Sequence, residues 1–201
     1  DRFLYVLLRP QWKSWLVRGA YIITSFGGFV SLKFLDNYLQ LGLHWLWIPG
    51  LVFAGLGAVY TAFLFNQARA RDLWQTPIQS AIHMLVHAIM AGSVVMMIIA
   101  PESSQWMANI LLWGIVANVV IMAKEILLPH DTPDTKKAIH LMTKGYYSKY
   151  FWAGIVMGSL IPLVVLNAFP SMSLIAGSLA LLGIYLTEFV RIRVPQMIPL
   201  S

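Results

Sequence analysis

The sequence predicts an all-α integral membrane protein with six transmembrane helices. Three observations carry that reading. Six apolar runs are each long enough to cross a bilayer, which takes about 20 helical residues. Of 201 residues, 59% are hydrophobic and 11% charged, against about 25% charged in a soluble domain. No segment alternates with the two-residue period of a strand. At a mean hydropathy of +0.71, too few polar side chains remain to coat a water-soluble core. Backbone groups in lipid must bond within their own segment, so the spans are helices.

The first span, Ser14 to Leu35, is introduced by the basic, tryptophan-rich RPQWKSWLVRGAY (Arg9 to Tyr21). Gly19, Gly27, Gly28 and Ser31 give it a small-residue surface suited to close helix packing, and Gly55 and Gly57 do the same for the second span, Trp45 to Phe65. The second span leaves the membrane through VYTAFLFNQARARDLW (Val59 to Trp74). The two spans read as a hairpin whose basic ends meet on one membrane face. The third span, Ile78 to Ala100, carries His83 and His87 four residues apart, on one face. A haem needs axial histidines from opposed helices, and a metal pair here lacks a third ligand. Hydrogen-bonded packing and proton handling remain.

The fourth span, Gln105 to Leu127, ends on Lys124 and Glu125. The loop after it, LPHDTPDTKKAIHLMTKGYYSKY, is the one sizeable polar segment. Its Asp-Thr-Pro-Asp start predicts a turn and helix cap, followed by a short amphipathic helix over Lys136 to Lys144 along the membrane surface. It is either a docking surface or an ordinary basic connector. The fifth span, Tyr150 to Ala168, contains Pro162, a strong helix breaker well inside a span. The sixth, Met172 to Val190, contains Glu188.

Thirteen of the 14 lysines and arginines fall on one side of this topology, Lys33 being the exception. The positive-inside rule puts that face and both termini in the cytoplasm. Trp12, Trp15, Trp74 and Trp152 on the basic side, and Trp45, Trp47 and Trp106 opposite, match interfacial aromatic belts. The net charge of +6 therefore speaks for membrane topology and not for nucleic acid. There is no cysteine, which excludes disulfides, thiolate-held zinc and an iron–sulfur cluster bound by this chain's own cysteines.

Arg18, Asn66, His83, His87, Lys124, Glu125 and Glu188 all fall in the half of the membrane nearest the basic face. A path conducting right through the chain needs polar groups at every depth. One-sided chemistry favours a lipid-soluble substrate that enters sideways and meets charge near one surface. Proton exchange at a quinone has those needs: a donor to the carbonyl oxygen and a short route to water. Tyr60, about two turns inside the basic end of the second span, is the sharpest candidate donor. Its plain alternative is a tyrosine bonded to a neighbouring backbone carbonyl. Arg18 and Arg69 would supply positive potential for a reduced quinone. His83, Glu125 and Glu188 are the proton-handling candidates. Arg9, Trp12, Lys13, Arg71 and Trp74 form the candidate partner-docking surface.

The motifs RPQWKSWLVRGAY, YTAFLFNQARARDLW, GYYSKYFWAGIVMGSLIP and the terminal VPQMIPLS together resemble the polysulfide-reductase membrane-subunit (NrfD-like) family over most of the chain. The resemblance implies a cofactor-free anchor that reacts with menaquinone or ubiquinone in the prokaryotic inner membrane. It implies an iron–sulfur electron-transfer partner, linked to a molybdopterin or multihaem cytochrome subunit as in alternative complex III. It implies eight helices in two four-helix bundles, of which these six are the last. Residues 1–74 would then be the second half of the quinone-site bundle, and 75–201 the second bundle with its basic loop at 128–149. A tyrosine at the position of Tyr60, fourteen before Trp74, lines the family's quinone pocket. Many relatives dock their partner on the outer face, whereas the charge count here points to the cytoplasm. The alternative is a structural anchor or proton-translocating subunit with no quinone site. A small-solute transporter has only Pro162 in its favour.

Overall fold

All six spans form as helices in a computed structural model, which describes residues 6, 8–68, 73–74, 76–128 and 132–198. In chain order the spans, with one short helix between the fourth and fifth, are α1 (Trp15–Leu39), α2 (Trp47–Asn66), α3 (Pro77–Ile99), α4 (Ser104–Leu127), the short α5 (Pro133–Thr143), α6 (Ser148–Ala168) and α7 (Ser173–Arg193). All but α5 are long and apolar enough to cross a membrane, and no strand occurs among the described residues. Large apolar side chains such as Ile98, Trp113, Val120 and Val164 point outward. That would be costly in water and is ordinary in lipid.

The chain divides into two compact units. The first takes residues 1–68 and 76–85, the second 69–75 and 86–201. Within the first, α1 and α2 form the expected hairpin. At its basic end Gln67 ties them together: the Trp15 N–H donates to Gln67 Oε1 at 2.9 Å, and Gln67 Nε2 donates to the Lys13 carbonyl at 3.1 Å. Trp15 stacks on Phe63 beside this tie, ring centroids 4.4 Å apart. At the far end Asp36 closes the turn. Its Oδ1 accepts from Leu43 N–H at 2.7 Å, and its backbone carbonyl accepts from the amides of Gln40 and Leu41. Gln40 and Gly42 take the positive φ values, 54° and 73°, that reverse the chain there. Lys33 neutralises Asp36 at 2.6 Å, so this end carries a matched ion pair.

The small residues do not all behave as the sequence suggested. Gly19 lies directly under the Tyr60 ring, and a Cβ there would strike it. Gly27, Gly28, Gly55 and Gly57 have nothing against them among the described residues. The closest backbone approach is in the second unit, where Gly158 of α6 and Gly183 of α7 pack main chain on main chain. Beside them α6 widens into a π-helical turn over Val156–Leu160, with the Ile161 N–H reaching back to the Val156 carbonyl. Pro162 has no N–H for the carbonyl four residues before it, and widening the turn just ahead is one way a helix absorbs that loss. The breaker therefore bends the hydrogen-bond ladder without ending the span.

The apolar core of the second unit joins Met90, Val94 and Met97 of α3, Leu111 and Ile115 of α4, and Ala176 and Ala180 of α7. Thr132 caps α5, its Oγ1 accepting from Thr135 N–H at 3.2 Å. Trp152 Nε1 donates to the Thr143 carbonyl at 3.0 Å and pins the end of α5 to α6.

Candidate functional site

Each unit holds one polar constellation. In the first, Tyr60 projects from α2 onto α1. Only glycine at position 19 lets the phenol ring lie against the neighbouring backbone. The side chain is half-buried, and its hydroxyl has no hydrogen bond among the described residues. Arg18, the residue before Gly19, is folded back on the loop that starts α1: its Nε donates to the Trp12 carbonyl at 2.6 Å, and its guanidinium lies 4.7 Å from the Trp15 ring. Trp12 is exposed and leans on Tyr21, centroids 4.8 Å apart. Arg9 and Lys13 are exposed beside it. Arg69 and Arg71 lie outside the described residues.

The second constellation is a chain of buried polar groups from α3, α4 and α7. Arg191, in the last turn of α7, is 2% exposed. Its Nη1 donates to Glu125 Oε2 of α4 at 2.9 Å and lies 3.8 Å from Met122 Sδ. Its guanidinium covers the Trp74 ring at 5.0 Å. Its Nε stands 3.9 Å from Glu188 Oε1, one turn back on α7. The same Oε1 is 3.4 Å from His87 Nδ1, and His87 Nε2 is 3.0 Å from Asn118 Oδ1 of α4. Neither carboxylate oxygen of Glu188 has a well-formed hydrogen bond among the described residues, and both are buried.

This arrangement fixes much of its own chemistry. The Asn118 carbonyl oxygen accepts from Nε2, which must then carry the hydrogen. Nδ1 is left facing Glu188. A proton shared by the two would sit either as imidazolium with carboxylate or as imidazole with carboxylic acid. Arg191 pairs with Glu125 at 2.9 Å, and His87 with Glu188 at 3.4 Å is the second acid–base pair of the constellation.

Of the predicted residues, Glu125 and Glu188 are brought together through Arg191. His83 is buried on α3, one turn before His87. Trp74 is not on a surface: it is 2% exposed under the chain's own arginine and offers a partner no face. Arg191, counted from sequence as one more basic residue at the cytoplasmic edge, turns inward. Sequence reasoning also missed Gln67 and Asn118. An amide in the middle of an apolar span was the available signal for the second.

Comparison with protein-family models, curated proteins and solved structures gives no match.

Proposed function

We propose that this chain is the quinone-reactive membrane subunit of a respiratory oxidoreductase complex of the polysulfide-reductase (NrfD-like) type. It exchanges electrons between a menaquinone or ubiquinone pool and a partner iron–sulfur subunit in a prokaryotic inner membrane. The partner carries the iron–sulfur centre, since these 201 residues include no cysteine to hold a cluster. The observation that supports the reading is the Tyr60 phenol. In lipid an O–H without an acceptor is costly. Here one is held in place by the glycine beneath its ring, half-exposed and without an acceptor among the described residues. A quinone carbonyl entering from the bilayer supplies that acceptor, and the aromatic rings around Trp15 and Phe63 suit a flat head group.

The test is Tyr60→Phe in the assembled complex, which keeps the ring and removes the donor. Quinone-linked turnover should fall about tenfold, the value of one hydrogen bond lost in a dry site. Unchanged turnover and unchanged quinone-analogue affinity would remove Tyr60 from the reaction.

A second reading, a proton-translocating subunit without its own quinone site, is favoured by the buried His87–Glu188 pair. Under that reading Tyr60→Phe is silent, quinone analogues do not bind, and Glu188→Gln abolishes proton uptake.

A further inference from the structure

The second unit carries a further site, on the membrane-surface helix α5. Its buried side, Ala138, Ile139 and Met142, anchors it to the unit. Its outer side carries Lys136 and His140 four residues apart, with Lys144 following as the residue that ends the helix. Beside them is a groove of about 500 Å³ walled by Lys136, Lys137, His140, Leu141, Met197 and Ile198. One side of it is thus cationic and the other apolar.

The level of the groove in the bilayer follows from its neighbours. Met197 and Ile198 come just after α7 ends at Arg193, where the last span leaves the hydrocarbon. Tyr146 and Tyr150, both exposed, stand where α6 begins. Tyrosines of this kind mark head-group depth. A molecule in this groove has its charged part at the phosphate layer and its apolar part pointing down into the acyl chains.

Of the two lysines in the wall, Lys137 is held by Asp134 at 2.9 Å. Lys136 has no carboxylate partner among the described residues. Among the described residues the groove therefore has one lysine with no carboxylate partner, a histidine one turn along from it, and an apolar floor at acyl depth. We propose that it binds an anionic phospholipid. The phosphate sits between Lys136 and His140, and the glycerol-proximal methylenes lie on Leu141, Met197 and Ile198. A soluble phosphorylated metabolite would use the lysine and histidine but leave the floor idle. An acidic protein segment would need a longer cationic track than Lys137, tied to Asp134, leaves available. The proposal is independent of quinone chemistry.

Phosphatidylglycerol and phosphatidylcholine of matched chains are the probes, presented in mixed nanodiscs to the full protein with whatever subunits co-purify. Binding is counted by native mass spectrometry after release. The wild type should retain phosphatidylglycerol in preference to phosphatidylcholine. Lys136→Gln should weaken that preference about fivefold, and Lys136→Gln/His140→Gln should abolish it. Arg193→Gln removes the same charge from the same face outside the groove and should leave the preference intact. Four results overturn the proposal: equal loss in Arg193→Gln, which would mean general surface charge; no preference in the wild type; competition by millimolar inorganic phosphate as effective as by lipid; or loss of a protein subunit from the Lys136 variant with lipid retention unchanged.

Discussion

Arg191 shows what one residue can do in a low-dielectric interior. Stripping water from an arginine and a glutamate costs several kcal/mol each, and their contact returns this only while both are present. Arg191→Met should therefore destabilise the protein by about 3–5 kcal/mol, because Glu125 is left buried and charged without its partner. Adding Glu125→Leu should restore much of the loss, since the double variant replaces ions with hydrocarbon of similar size. Thermal unfolding in detergent reads both, and two losses that merely add would show that the pair is not coupled. Glu125 and Glu188 were legible from depth alone, as acids are rare in spans. Arg191 was not, because an arginine at the end of a span reads like any positive-inside residue. The missed clue was rotational. Ala176, Ala180, Gly183, Thr187 and Arg191 follow one another at three- and four-residue steps, and all are buried. The arginine continues a small-residue stripe, which already aims it at the neighbouring helices.

At the scale of elements, the sequence located the spans and the surface helix to within a few residues, because apolar length and a proline-marked cap are local properties. It did not locate the tightest helix contact. Glycine permits close approach, but whether a second backbone takes up the offer depends on which helices meet. Gly27 and Gly28 have open space against them among the described residues, whereas Gly158 and Gly183 are occupied by one another. The two kinds of glycine should answer differently to the same change. Gly183→Ala puts a methyl group into the main chain of α6, which cannot move aside as a side chain could. A loss of about 1–3 kcal/mol is expected, the usual range for overpacking. Gly27→Ala should be neutral or stabilising by up to about 1 kcal/mol, through helix propensity alone. Melting temperatures of the two variants in one detergent decide it, and equal effects would contradict the observed packing.

At the scale of the molecule, the remaining question is which way the basic face points, and the chain is well suited to answering it. These 201 residues contain no cysteine, so a single introduced thiol is the only one among them. Glu102 is exposed in the 3₁₀ turn Pro101–Ser103 before α4, and Lys144 is exposed beyond α5, after α4 has crossed once. The two positions lie at opposite ends of one span. If the basic loops obey the positive-inside rule, Glu102→Cys reacts with a membrane-impermeant maleimide on intact cells, and Lys144→Cys reacts only after the membrane is opened. The reverse pattern would put the lysines of α5 outside. Their charge would then have to be explained by a partner's acidic surface and not by insertion, and the electron-transfer subunit proposed above would be sought on the outer side. Labelling of both positions from the same side would contradict the passage of α4 through the bilayer, on which every depth argument made for Glu125, Glu188 and His87 depends.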